Sequence, residues 1–281
     1  MFNPHKYNLL EYVLFGQNGV DRQKLEPAVE GKTVLITGAS YGIGEQLAYQ
    51  LGKTKAKLFL VARSHDKLLQ VKDRVEALGG NAEIYVANLR QQEQLSALLN
   101  YIKEENIEID IFVNNAGKSI NRSIYDSLDR MHDFERTMSL NYYAPLEILL
   151  ELIPTLIQKR GQVISVSAAN VLLIPAPKWA AYQASKVAFD HWFRSVSIEL
   201  NAKGVATSTL YLPLVKTRMI EPNAAYKKMP AMKASHVADI ICRAMIKRNR
   251  VYSPWWLGFG QLASLFFRKP IERYLVSRQM K

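Results

Sequence analysis

The chain has a single cysteine in 281 residues, Cys242. That excludes a disulfide within the chain and fits a reducing, cytoplasmic setting. Cys242 sits in the helical pattern VADIICRAMI and reads as a buried packing residue. Histidine is scarce as well. His5, His65, His132, His191 and His236 show neither HxxxH nor HExxH spacing, so no metal site is expected. No apolar run reaches the roughly 18 uncharged residues of a spanning helix. The opening MFNPHKYNLLEYVLFG has neither the apolar core nor the small-residue cleavage site of a signal peptide. Repeats and low-complexity linkers are missing. Acidic residues are outnumbered 25 to 37 by lysine and arginine, a formal net charge of +12. Such a field favours anionic partners, from phosphorylated cofactors and acyl thioesters to anionic lipid. No basic–aromatic motif or recognition module points to nucleic acid. Much of the excess lies late, in KKMPAMK, IKRNR and RKPIERYLVSRQMK.

What is present is the length of one large α/β domain, with 48% hydrophobic and 22% charged residues. The expected division is an N-terminal extension over 1–30, the domain over 31–253, and an apolar then basic C-terminal segment over 254–281. Strand-like runs fall at 33–37, 57–62, 82–87, 110–115, 162–167, 206–212 and, weakly, 250–253. Helical patterns fall between them, around 42–53, 65–78, 91–105, 130–158, 179–202 and 235–247. Several strands are apolar throughout, as in a parallel sheet covered on both faces. The alternation predicts a single doubly wound α/β domain with helices on both faces. Ligands in such sheets bind beyond the carboxyl ends of the strands.

After the first strand comes TGASYGIG, Thr37 to Gly44. Gly38 suits a tight turn, Gly42 a close backbone approach to phosphate, and Gly44 close packing of helix on strand. Ser40, Tyr41 and Ile43 lie in the same loop, whose helix offers N–H donors to a pyrophosphate. The glycine triplet alone is a weak signal; its place between strand and helix strengthens it. The same residues contain GASYG, a match to a hydrolase nucleophile elbow at Ser40. Ser40 follows the first strand, however, where an elbow serine is out of place. The second strand ends Val61-Ala62-Arg63, with no carboxylate to read a ribose 2′-hydroxyl. A guanidinium matches a phosphate in charge and shape, so NADP(H) is expected over NAD(H).

Tyr182 and Lys186, in YQASK, are four apart and share a helix face. A phenol with its ordinary pKa of about 10 is a poor acid–base at neutral pH. A neighbouring ammonium lowers that pKa. A tyrosine so tuned can pass a proton to or from a carbonyl oxygen while hydride moves at carbon.

With TGASYGIG, NNAG (Asn114 to Gly117), SLN ending at Asn141, and YQASK, the chain resembles the short-chain dehydrogenase/reductases over roughly residues 30 to 253. The resemblance implies a Rossmann fold with a seven-stranded parallel sheet. It makes Tyr182 the acid–base, Lys186 its partner and a nicotinamide-ribose ligand, and Asn141 the holder of a water linking the lysine to solvent. Asn115, Ala116 and Gly117 would shape the cofactor site. Asn88 and Leu89 would lie by the adenine, and Pro213, Val215 and Thr217 by the carboxamide and diphosphate. The family is often dimeric or tetrameric through the helices carrying Asn141 and Tyr182. NNAGKSINRSI, HDFERTMSLNYY and LPLVKTRMI are similar to a narrower group, the bacterial fatty acyl-CoA reductases built on this fold. That implies reduction of a long-chain acyl thioester, or of an apolar aldehyde or ketone.

Three positions depart from the family pattern. Asn88 stands where an aspartate is usual, and Pro213-Leu214 where Pro-Gly is usual, though the acyl-CoA reductase group shares the latter. In ISVSAAN, Ala168 occupies the expected place of the catalytic serine. Ser167 precedes it, and alternation points it to the opposite face. Fifteen residues separate Ser167 from Tyr182, more than the family's usual spacing. Three alternatives stay open: Ser167 re-aimed by a bulge, Asn170 supplying the donor, or no direct replacement. Ser165 reads as strand packing.

The segment PWWLGFGQLASLFF, Pro254 to Phe267, reads either as a packed helix or substrate lid, or as an interfacial patch on a membrane, its aromatics flanked by Arg268, Lys269 and Arg273. The leading expectation is an NADPH-dependent reductase of an apolar carbonyl or acyl-thioester substrate, cytoplasmic or membrane-peripheral. A ketoreductase or alcohol dehydrogenase on lipid, steroid or polyketide carbonyls is the alternative within enzymes. A non-catalytic NADPH-binding sensor or scaffold is the alternative of another class.

Overall fold

The computed structural model describes residues 7–16, 19–220, 226 and 229–279. Strands β1 (Thr33–Thr37), β2 (Lys57–Ala62), β3 (Asn81–Val86), β4 (Ile111–Asn114) and β5 (Gln162–Ala168) are followed by β6 (Ala206–Leu212), β7 (Val215–Lys216), β8 (Met232–Lys233) and β9 (Val251–Tyr252). Seven of them form one parallel sheet in the order β3-β2-β1-β4-β5-β6-β9, while β7 and β8 pair separately. Each crossover returns through a helix, as a parallel ladder requires. This is the doubly wound fold the alternation predicted.

The helices are α1 (Leu9–Phe15), α2 (Arg22–Val29), α3 (Gly42–Leu51), α4 (His65–Ala77), α5 (Gln92–Glu104) and α6 (Met131–Met138). After them come α7 (Ala144–Lys159), α8 (Ala180–Ala202), α9 (Ala234–Lys247), α10 (Leu257–Phe266) and α11 (Arg268–Gln279). Two cores result, one on each face of the sheet. α2, α3, α4 and α9 cover one with Leu25, Leu47, Val71 and Ile241. α5, α7 and α8 cover the other with Leu98, Leu152, Phe189 and Phe193. Cys242 is fully buried among the first set, and burial pushes its thiol pKa up.

Two features differ from the sequence expectation. The helix expected over 130–158 is broken by a π-helical turn, Ser139–Tyr143. Pro145 has no N–H for the carbonyl of Asn141. The hydroxyls of Thr137 and Ser139 each return to the carbonyl four residues back, at 2.9 and 2.8 Å, which loosens the regular ladder. The N-terminal stretch also carries structure of its own. Asn8 and Glu11 form a reciprocal capping box that starts α1. Asp21 caps α2, whose Leu25 and Val29 enter the core beside α9.

Candidate active site

Gly38 and Gly42 both take positive φ, 68° and 62°, a conformation glycine adopts without strain. A Cβ at Gly38 would stand 2.9 Å from Ala116 Cα, and one at Gly44 only 2.5 Å from Gly38 O. At Gly42 it would meet the Thr217 side chain at 2.9 Å. Any side chain would fill this cradle. Tyr41 precedes α3 without a side-chain cap. Of the first N–H groups of α3, that of Gly42 donates to Glu45 Oε2 (3.2 Å). Ser40 and Ile43 are half-buried on either side of the cap, Ile43 packing on the core. Asn115 fastens the end of β4 to this loop: its Nδ2 donates to Thr37 O (2.9 Å) and Gly38 O (3.2 Å). Thr37 Oγ1 in turn accepts the N–H groups of Asn115 and Ala116, each at 3.1 Å.

Arg63, just past β2, is exposed. It belongs to a cationic corner that the sequence reading missed. Burial lowers the basicity of Arg90, and the nearby Arg63 and Arg136 lower it further. Burial likewise lowers Lys118, with Arg136, Arg90 and Arg63 adding to it. Asn88 Oδ1 accepts from Arg90 Nε at 3.2 Å, and Leu89 is buried beneath. So Asn88, standing where a carboxylate is usual, holds an arginine in place without neutralising it. Arg136 is itself anchored by buried Asp133, which also pairs with Arg122 and Arg130 at 3.0 Å each.

Asn141, 1% exposed, sits in the π turn. Its Nδ2 donates to Lys118 O and to Ser185 Oγ, both at 2.9 Å, and its Oδ1 accepts the Lys118 N–H at 2.9 Å. Ser185, on α8 between Tyr182 and Lys186, was not singled out from sequence. Lys186 Nζ donates to Val166 O of β5 at 3.1 Å. A Cβ at Gly117 would lie 3.5 Å from Asn141 Oδ1 and 3.7 Å from Lys186 Nζ. NNAG, the π turn and α8 therefore converge where β4 and β5 end.

Tyr182 lies on the first turn of α8, its ring edge-on to Trp179 with centroids 5.6 Å apart. Crowding by protein pushes its phenol pKa up to about 12, with Tyr226 adding to the rise. Burial brings Lys186 down to about 8, against the pull of Asp190. Desolvation thus sets the phenol in the chain alone, and the lowering expected from its ammonium neighbour is not seen.

β5 pairs with β6 in unbroken register from Gln162↔Ala206 to Ala168↔Leu212. There is no bulge to re-aim Ser167. Ile164, Val166, Leu210 and Leu212 face the α3–α9 core. Val163 faces the α8 core, and Tyr211, paired with Ser167, is hydrogen-bonded to Asp190 of α8. Alternation therefore puts Ser167 on the side of Tyr182 and Lys186, and Ala168 on the other. Asn170 follows in a 3₁₀ turn; its Oδ1 is buried with no partner among the described residues. Pro213 and Val215 lead to Thr217, which touches the glycine loop.

The profile of the short chain dehydrogenase family matches residues 32–228. The chain belongs to that family. Among its relatives, a fatty acyl-CoA reductase of Acinetobacter baylyi is 39% identical over 240 residues, 85% of this chain and 80% of the relative. One of the same name from Mycobacterium tuberculosis is 40% identical over 222 residues, 78% and 76% of the two chains. A short-chain dehydrogenase from Sphingobium yanoikuyae, solved in complex with NADPH, superposes with a TM-score of 0.72 at 23% identity, over 88% of this chain and 95% of that one. Short-chain dehydrogenases are oxidoreductases, so this fold and site belong to an enzyme family. Among the described residues no group of three or more His, Cys, Asp or Glu is placed to hold a metal ion.

Proposed function

We infer that the chain is an NADPH-dependent reductase that transfers hydride to the carbonyl of an apolar substrate, a long-chain acyl-CoA or a fatty aldehyde. The observation that carries the reading is the convergence of Lys186, Asn141 and Gly117 beside the glycine cradle, with Tyr182 one turn before Lys186 on α8. The names of the two relatives at 39% and 40% identity support the acyl substrate. Residues 31–253 serve as the catalytic domain.

The residues present fit a dinucleotide: the cradle at Gly38, Gly42 and Gly44 admits no side chain, and Arg63 with Arg90 offers guanidinium groups to a 2′-phosphate. When bound, NADPH supplies the hydride. Tyr41, Asn88, Asn115, Ala116 and Thr217 would complete the pocket, with Lys186 at the ribose. Tyr182, with a pKa near 12, is protonated at neutral pH and donates its phenolic proton to the carbonyl oxygen of the substrate. Lys186, still mostly an ammonium at pH 7, stabilises the phenolate left behind. Asn141 holds the Lys118 loop against α8, and its carbonyl, deprived of the Pro145 donor, serves the water that refills the proton. Ser167 donates a hydrogen bond to the developing oxyanion.

Partner and place follow in the same reading. Tyr143, Leu150, Val187 and Ile198 leave an apolar exposed surface on the π turn, α7 and α8, which supports a homodimer or homotetramer through these helices. A cytoplasmic protein in peripheral contact with a membrane fits the exposed aromatics after Pro254. No helix among the described residues is long and apolar enough to cross a membrane.

The test follows NADPH absorbance with long-chain acyl-CoAs, fatty aldehydes, ketones and 3-oxoacyl thioesters. Turnover of acyl-CoA or fatty aldehyde is expected. Turnover of ketones alone would move the enzyme to the ketoreductases. A folded protein that binds NADPH and reduces none of them, with Tyr182→Phe indistinguishable from wild type, would be a cofactor-binding sensor instead.

A further inference from the structure

Helix α1 has two unlike faces. Inward, Glu11 is 3% exposed, its carboxylate 2.8 Å from Lys216 Nζ and accepting the N–H groups of Ala231 and Asn8, each at 3.1 Å. Tyr7 adds a bond to His236 Nδ1 (2.8 Å) and accepts the Lys233 N–H (3.1 Å). These contacts fix α1 to β7, β8 and α9. Outward, Leu9, Leu10, Tyr12 and Val13 are between 56% and 82% exposed. A surface held this firmly, and this apolar, is a preformed patch.

The patch continues into the other end of the chain. Trp255 Nε1 donates to Val13 O at 3.4 Å, and its ring meets Phe259 edge-on, centroids 6.2 Å apart. Phe259, Leu262 and Phe266 follow helical spacing along one stripe of α10, which Trp255, just before the helix, extends; each is at least 55% exposed. The opposite stripe packs on the body. Leu257 is fully buried, a Cβ at Gly260 would touch Leu173 at 3.1 Å, and Ser264 Oγ accepts the Ile174 N–H at 3.3 Å. α11 then brings Arg268, Lys269, Arg273 and Arg278 against the single carboxylate of Glu272.

Apolar aromatics bordered by cations, on helices of 7, 10 and 12 residues, are the arrangement of a surface lying in a lipid headgroup layer. Charge decides the occupant. Anionic headgroups complement α11, whereas a two-fold pairing of this face would bring two cationic helices together. We propose that α1, α10 and α11 form one docking face for an anionic phospholipid bilayer, and that apolar substrate enters the active site from that side. The entry route follows from the packing. α10 lies on Leu173 and Ile174, in the loop that runs into α8. Gln183, next to Tyr182, holds that loop by accepting the Ala176 N–H at 3.0 Å and donating to Asn170 O at 3.3 Å.

The proposal deepens the apolar-substrate reading and is tested separately from it. The full chain is sedimented with phosphatidylcholine vesicles, with and without phosphatidylglycerol. Binding is expected only with the anionic lipid. The doubly substituted Phe259→Ser/Phe266→Ser and Leu9→Ser/Val13→Ser proteins should each lose it. The pair Arg273→Glu/Arg278→Glu should bind more than about 30-fold more weakly, since each cation near such a surface contributes about fivefold. In wild type alone, presenting substrate in vesicles should lower the apparent KM; a short, water-soluble aldehyde should be reduced equally by all. Absence of vesicle binding would overturn the proposal, as would substitutions that dissociate an oligomer and leave vesicle binding intact. Vesicle binding by a protein that reduces no substrate would sustain the docking face and remove the substrate reading alone.

Discussion

Glu11 and Lys216 form a buried ion pair across 205 residues of sequence, 2.8 Å apart, their side chains 4% and 6% exposed. Lys216 precedes Thr217, which packs on Gly42 of the glycine loop. Removing one partner of a buried pair costs about 3–5 kcal/mol, because the other is left uncompensated. Glu11→Ala should therefore unfold at markedly lower denaturant, and Glu11→Gln, which keeps the bond from Ala231, should lose less. Burial works to raise the Glu11 carboxyl, but the bonds from Lys216, Ala231 and Asn8 prevail and hold it below the ordinary glutamate range. A depressed carboxylate contributes stability that is fully present above its unfolded pKa and is lost as pH falls through the folded one. The stability gap between wild type and Glu11→Gln should thus be full at pH 7 and shrink in acid, below about pH 4. Unfolding curves across pH measure it; a gap that stays constant into acid would remove the charge from the account.

The sheet, and the placing of the candidate site residues at its edge, were legible because their signals are local. TVLIT, then TGASYGIG, then an amphipathic run encode a strand, a cradle and a helix in contiguous residues, and YQASK puts phenol and amine on one turn. What was not legible depends on partners distant in sequence. Glu11 reads as an ordinary helix-start acid until Lys216 is placed against it. Arg90 is one surface arginine among many until Arg63, Lys118 and Arg136 gather around it. The face of Ser167 is set by which helix lies over β5, which alternation cannot say.

In the proposed function, Arg63 and Arg90 both bear on cofactor choice. A hydrogen bond to a charged group contributes about 1.5–3 kcal/mol. Arg63→Ala should raise the KM for NADPH by about 10- to 100-fold on that scale and leave NADH nearly untouched, which has no 2′-phosphate. Arg90→Ala should act in the same direction. A variant whose NADPH and NADH parameters move together would show that the arginines support the fold and not the phosphate.

Ser167 and Asn170 are separable by substitution. Ser167 lies on the α8 face beside Tyr211, whereas Asn170 is one turn past the strand with its main-chain carbonyl engaged by Gln183. Loss of an oxyanion donor typically lowers kcat by about 10²–10³. Ser167→Ala should show that loss with NADPH affinity unchanged, and Asn170→Ala should not. The reverse pattern would transfer the role to Asn170.

The pH dependence of the reaction should report Lys186 and not Tyr182. The phenol, near 12, titrates outside the working range and stays protonated as the proton donor. The amine, brought to about 8 by burial, is the group whose state changes under assay. An amine with a lowered pKa is charged below that value and neutral above it, so the stabilisation it gives the developing phenolate is present at neutral pH and fades as pH rises past 8. The profile of kcat/KM reports groups of the free enzyme, and it should fall on an alkaline limb centred near pH 8. Lys186→Met should remove the limb and lower the plateau, with Tyr182→Phe lowering kcat by about 10²–10⁴ at every pH. An alkaline limb at the same pH in Lys186→Met would assign the titration to another group.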